Sequence, residues 1–161
     1  MIFITLGSQK FQFNRLLKAV DDQVAEGRIT DHIFAQTGAS DYKPLNYRYR
    51  DFLNRDEFAA WIENADIVIT HGGTGAIFGA VKKGKKVIAI PRLAKYGEHV
   101  DDHQLQLIGQ FKELDLIHEC LDCDDIWRAV ETVKVTEYKR YQSNTNQIIA
   151  SIEDFLEREE R

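Results

Sequence analysis

The sequence predicts an α/β chain: a Rossmann-like, doubly wound parallel sheet in one domain. Three observations carry that reading. Short apolar runs alternate with stretches of helical periodicity along all 161 residues. The strands so marked are separated by helices of about ten or more residues, which demands crossovers, and right-handed crossovers give a parallel sheet covered on both faces. Length adds the third, since 161 residues amount to about one domain with a core that needs no staples.

Ile2 to Leu6 (IFITL) reads as a buried strand. Phe13, Leu16, Leu17, Val20 and Val24 then recur at helical spacing and make one buried face. His32 to Gln36 is a second strand, ended by the turn formers of TGASDYKPLN. NYRYRDFL alternates and gives a third strand reaching Leu53, after which Asn54 and the acidic residues behind it open a helix through Asn64. Asp66 to Thr70 is the fourth strand, feeding a glycine loop and a helix that stops at Gly84. KVIAIP is the fifth, ended by Pro91, and a long loop leads to a helix burying Val100, Leu107, Ile108 and Phe111. LIHEC is a short sixth strand, and Asp124 or Asp125 caps a helix burying Ile126, Trp127, Val130 and Val133. A last helix, from about Glu137 to residue 158, carries Ile148, Ile149, Ile152, Phe155 and Leu156 as an apolar stripe that packs on its own domain or docks a partner.

Composition excludes several function classes. The formal net charge is −5 with both signs dispersed, so no basic face is expected to collect a nucleic-acid backbone. The opening MIFITLGSQK is too short and lacks the basic start of a signal peptide, and no run approaches a membrane span, so the expectation is a cytoplasmic protein. Cys120 and Cys123 form a Cys-x-x-Cys without a second pair to complete a zinc site, and they lie too late in the chain for a thioredoxin-type motif.

The chemistry concentrates in two places. IVITHGGTGAIFGAVKKGKKVIAIP, Ile67 to Pro91, holds Gly72, Gly73 and Gly75 between a strand and a helix. A strand running into glycines and then a helix aims backbone N–H groups and the positive helix end at one spot, which suits a diphosphate. The bland alternative is a tight turn with close helix packing, and Gly79 reads as a packing glycine. Gly73-x-Gly75-x-x-x-Gly79 also mimics an NADP fingerprint, but that motif belongs after the first strand, where this chain has only Gly7.

The second place is GEHVDDHQ, with Glu98, His99, Asp101, Asp102, His103 and Gln104. Short carboxylates and an amide match the directional hydrogen bonding of a sugar. Capping by Asp101 or Asp102 is the competing explanation, and His99 with His103 could share a metal, although His-x-x-x-His without a catalytic Glu is weak. Asp122-Cys123-Asp124 resembles an Asp-x-Asp metal site but precedes a helix, so capping is expected. In a doubly wound sheet the loop after strand one and the loop after strand four face one crevice.

ITLGSQKFQFNRLL, DIVITHGGTGAIFGAVKKGKKVIAIPR and GEHVDDHQ together resemble the donor-binding, C-terminal half of GT-B glycosyltransferases of family 28. The resemblance covers nearly the whole chain, residues 1–161, and is nearest to small bacterial exopolysaccharide and capsule subunits and to the cytosolic subunit of the dolichol-pathway N-acetylglucosaminyltransferase. It implies a UDP-sugar site. Gly72, Gly73, Thr74 and Gly75 would hold the diphosphate, with Gly7 and Ser8 opposite. Phe52 and Leu53 would meet uracil, and Glu98, His99, Asp102 and Gln104 the donor sugar. His71 would assist the phosphate or simply order its loop, and no metal or other cofactor is implied.

Two departures from the family matter. Gly79 stands where full-length relatives carry a ribose-binding Glu, and the acceptor domain with its base is missing. The resemblance therefore implies a separate, membrane-associated partner that holds this chain at the inner face of the membrane. An inverting hexosyl transfer to a lipid-linked acceptor would follow. The readings that compete with it are a non-catalytic activator subunit and an NADP oxidoreductase, and an unpartnered apolar surface could pair two copies in isolation.

Overall fold

The computed structural model describes residues 1–142. Its strands are β1 (Ile2–Thr5), β2 (Ile33–Gln36), β3 (Arg48–Arg50), β4 (Ile67–His71), β5 (Lys86–Ile90) and β6 (His118–Glu119). The helices are α1 (Asn14–Ala25), α2 (Arg55–Asn64), α3 (Thr74–Val81), α4 (His103–Glu113) and α5 (Ile126–Val135). All strand pairs are parallel, in the order β3-β2-β1-β4-β5-β6. The predicted doubly wound sheet is present, and strand order reverses between β1 and β4.

Strands β1, β2, β4 and β5 are almost wholly buried, which is why they read as mainly apolar runs, whereas the edge strand β3 alternates. Ile2 and Ile4 point to one face, packing with Leu16, Leu17 and Val20 of α1 and Val130 and Val133 of α5. Phe3 points to the other, with Ile62 of α2, Ile77 and Ala80 of α3, and Ile108 and Phe111 of α4. Trp61 lies flat on Phe34, ring centroids 3.8 Å apart.

The connection from β2 to β3 is a loop rather than a helix, and a buried carboxylate holds it. Asp21 of α1 accepts hydrogen bonds from Tyr42 Oη (2.8 Å), Leu45 N (2.9 Å) and Asn46 N (2.8 Å). At α2 the Asn54 side chain accepts from Glu57 N while Glu57 accepts from Asn54 N, the expected helix start in reciprocal form.

Several boundaries differ from expectation. The third strand ends at Arg50, so Asp51 to Leu53 leave the sheet and lead into α2. Val100 is 75% exposed because α4 begins three residues after it; the buried side chains of that helix are Gln104, Ile108 and Phe111. Before α5 the capping oxygen belongs to Asp122, which accepts from Asp124 N, and Trp127 is only partly buried. Residues 137–142 are not helical, and the apolar stripe from Ile148 to Leu156 lies outside the described residues. Among the described residues no helix is long and apolar enough to cross a membrane.

Candidate functional site

The carboxyl ends of β1 and β4 open side by side at the strand-order reversal, and each runs into a glycine loop. At the first, Gly7 adopts φ +73°, a left-handed conformation that side chains resist. At the second, Gly73 occupies the N-cap of α3, and no side chain among the described residues caps that helix. The first-turn N–H groups of a helix have no partner within it, so an uncapped start offers them to an anion.

Between the two loops stands His71, the last residue of β4 and only 7% exposed. A Cβ on Gly73 would lie 2.3 Å from His71 Nε2, and one on Gly7 would lie 2.9 Å from His71 Cε1. Gly72 is bare for a similar reason, since a Cβ there would meet Gln104 Cβ at 2.7 Å. The close packing that makes these positions glycine is thus supplied by the chain itself. Gly75 differs: it is exposed, and a Cβ would meet nothing within 4 Å among the described residues. Thr74 and Ser8 are likewise exposed on the loops.

Burial, with the Arg92 charge adding to it, pushes the His71 imidazole down to about 4. At neutral pH it is uncharged and can meet a phosphate only as a hydrogen-bonding group. The unfolded chain protonates His71 near pH 6.5 while the folded chain resists to about pH 4. The contribution of this site to stability is therefore complete above pH 6.5 and falls with pH down to about 4, by about 3 kcal/mol. Urea denaturation of the unaltered chain and of His71→Gln between pH 7 and 4 checks this: the unaltered chain should lose about that much more.

Opposite the glycines, the loop from Pro91 to Asp102 is pinned from inside. Gln104 Oε1 accepts from both Gly72 N (3.2 Å) and Arg92 N (3.0 Å), tying the glycine loop to the end of β5. Glu98, 1% exposed, accepts from Arg15 Nε (3.1 Å) and Nη2 (3.0 Å) and from Leu93 N (3.0 Å). Arg92 Nη2 donates to Leu6 O (2.8 Å) and Phe11 O (3.1 Å), bracing the first loop.

With this geometry in place, the profile of the Glycosyltransferase family 28 C-terminal domain matches residues 1–158. The chain belongs to this family. The fold also has counterparts among solved structures. The chain superposes on Acinetobacter baumannii MurG with a TM-score of 0.63 and 15% identity, covering 94% of this chain and 48% of that one. For the solution structure of ALG13 the TM-score is 0.57 with 18% identity, covering 94% of this chain and 93% of that one. The described fold is the C-terminal half of a GT-B glycosyltransferase.

By sequence, the ALG13 subunit of UDP-N-acetylglucosamine transferase from Candida albicans is 33% identical over 76 residues, 47% of this chain and 23% of that protein. A Phocaeicola vulgatus protein named tRNA dimethylallyltransferase 2 is 27% identical over 131 residues, 78% of this chain and 41% of that protein. The chain thus spans less than half the length of both of these curated relatives.

Set against the family's expected contacts, the predicted residues divide. Gly7 and Ser8 lie on the loop after β1, and Gly72, Gly73, Thr74 and Gly75 on the turn into α3, with His71 between the two segments. Phe52 is 54% exposed beyond the end of β3, and Leu53 packs against the core face of α2. Of the expected sugar contacts, Glu98 and Gln104 turn inward, where the Glu98 carboxylate and the Gln104 Oε1 serve the chain's own loops. His99 packs its ring against Phe11, centroids 4.9 Å apart. Asp102 is exposed and accepts from Ala94 N at 2.7 Å.

Asp101 accepts from His103 N (3.2 Å) and from both the His99 and His103 imidazoles, which explains the two histidines as partners of a helix-start carboxylate. One ligand atom of each of these three residues lies within 4.8 Å of the others. Gly79 is exposed, and among the described residues a Cβ there would meet nothing within 4 Å. Cys120 and Cys123 are buried, and burial raises both thiols to about 12, as suits unreactive side chains.

Neither Arg15 nor Arg92 is marked as a site residue by a motif of the sequence. The available signal was position: Arg92 directly follows the proline that ends strand five, at the same carboxyl edge as the glycine loops.

Proposed function

We propose that this chain is the donor-binding subunit of a two-component, inverting UDP-sugar glycosyltransferase. It adds a hexose to a lipid-linked acceptor in exopolysaccharide or capsule biosynthesis. The observation that supports the reading best is the uncapped start of α3 facing the Gly7 loop across the β1/β4 reversal, with Gly75 open to approach. The diphosphate sits on the first-turn N–H groups of α3, Phe52 and Leu53 meet uracil, and His99 and Asp102 face the sugar. Transfer proceeds by direct displacement at the anomeric carbon. The acceptor hydroxyl gives up its proton to a base on a membrane-associated partner, and the departing UDP is stabilised here by preorganised N–H dipoles. No cofactor is needed.

Thermal denaturation with UDP, several UDP-sugars, NADP and NAD tests this. Saturation at about 100 times the dissociation constant should add about 2.7 kcal/mol for UDP compounds. A shift with NADP alone would replace the reading. Activity then requires the partner, and UDP binding without transfer by the reconstituted pair would make this chain an activator instead.

Gly79→Glu should stabilise α3 by about 0.5–1 kcal/mol, because glycine is a poor helix former. The same change should tighten UDP more than a UDP analogue lacking the ribose hydroxyls, by about tenfold for a charge-assisted pair of hydrogen bonds. Calorimetric titration reads both ligands.

A further inference from the structure

Arg92 is a charged side chain with 0% exposure, and it lies at the carboxyl edge where the two glycine loops meet. Its Nη2 is used on Leu6 O and Phe11 O, but Nε and Nη1 have no hydrogen-bond partner among the described residues. Nearly every buried donor in a folded protein is paired, so two orphan N–H sites on one guanidinium need an explanation. The neighbouring carboxylate does not supply one. Glu98 hydrogen-bonds to Arg15 and to Leu93 N, so two arginines share a single negative charge, and no ion pair to Arg92 occurs among the described residues. The aromatic face of Phe13, 5.6 Å from its Cζ, is weak compensation.

Placement gives the unbalanced charge a use. Arg92 N and Gly72 N hang on the same Gln104 oxygen, and the Arg92 guanidinium holds both ends of the segment that carries Gly7 and Ser8. Its field reaches His71, which stands between the loops and is held neutral partly by that charge. A positive charge enclosed by low-dielectric walls projects its field into the adjoining crevice with little screening.

We propose that Arg92 is the buried counter-charge for the donor's diphosphate, acting through space from beneath the first loop rather than by contact. This rests on the UDP-sugar reading above. The orphan donors are the cost of keeping the guanidinium unneutralised until an anion arrives. The second phosphate, which adds the charge that distinguishes a nucleoside diphosphate from a monophosphate, is the group it favours.

Calorimetric titration of the full chain with UDP and UMP tests the proposal. Arg92→Met should reduce the preference for UDP over UMP by about tenfold, and Arg92→Lys, which keeps the charge but loses the fork, should hold it within about twofold. General loosening of the loop would weaken both ligands and leave the ratio unchanged. A folded Arg92→Met with the original ratio overturns the proposal.

If that variant does not fold, the unaltered protein still decides. The Arg92 Nε–H resonance should move further on saturation with UDP than with UMP, and a resonance indifferent to the second phosphate overturns the proposal. Failure of the unaltered chain to bind UDP at all overturns the donor reading itself, and this inference with it.

Discussion

Gly75→Asp should abolish UDP binding, lowering affinity by at least about a hundredfold, because a like charge placed against a bound anion costs several kcal/mol. The melting temperature should stay the same or rise slightly. Gly75 is the second residue of α3, and a Cβ there meets nothing within 4 Å among the described residues, so the fold accommodates the side chain. A carboxylate in the first turn also suits the helix dipole, by about 0.3–1 kcal/mol. The same electrostatics that welcome the new side chain then turn the diphosphate away, since the introduced carboxylate occupies the anion's place on the N–H groups. Calorimetry with UDP beside a thermal melt separates the two effects. Undiminished affinity in a folded variant would put the diphosphate somewhere other than the start of α3.

Glu98→Ala carries the second large effect, and it falls on stability. The carboxylate is almost fully buried and collects three hydrogen bonds, two from Arg15 and one from Leu93 N. Removing one partner strands the others, and a loss of about 3 kcal/mol is expected, tempered by the partial exposure of Arg15. For a domain of this size that lowers the melting temperature by about 6–12 °C. The alternative that Glu98 contacts the donor sugar makes the opposite forecast: an unchanged melt, with affinity for a UDP-sugar falling relative to UDP. Thermal melts and paired titrations distinguish them.

The contrast between Gly75 and Glu98 shows where sequence reading succeeds. The glycine loop was legible because its signal is local. A run of apolar residues, three glycines and a helical period occur in one unbroken stretch, and each of those patterns is the direct imprint of a backbone conformation. Asn54 was legible for the same reason, as both halves of its capping box lie within four residues. Strands β1, β2, β4 and β5 were legible because burial on both faces keeps most of their positions apolar, whereas the exposed edge strand β3 was placed with the wrong end.

The roles of Glu98, Gln104 and Arg92 were not legible, because each is settled by partners far away in the chain. Glu98 is paired across 83 residues, Gln104 reaches back 32 residues to Gly72, and Arg92 reaches 86 residues to Leu6. A polar residue in a loop carries no mark saying whether it faces inward or outward. GEHVDDHQ therefore reads as one sugar-facing set, when half of it binds the protein's own loops. Val100 misleads for a related reason: an apolar residue beside a helix looks like part of its buried face until the helix start is known.

The sequence by itself determined the layered α/β architecture, the strand-to-helix glycine loop and the family resemblance, because those follow from periodicity and short-range backbone requirements. The tertiary structure alone decided which polar groups remain free for a ligand. Among the described residues, hydrogen-bond pairing between distant segments consumes some donors and acceptors, leaves the start of α3 open, and encloses one arginine without a carboxylate of its own.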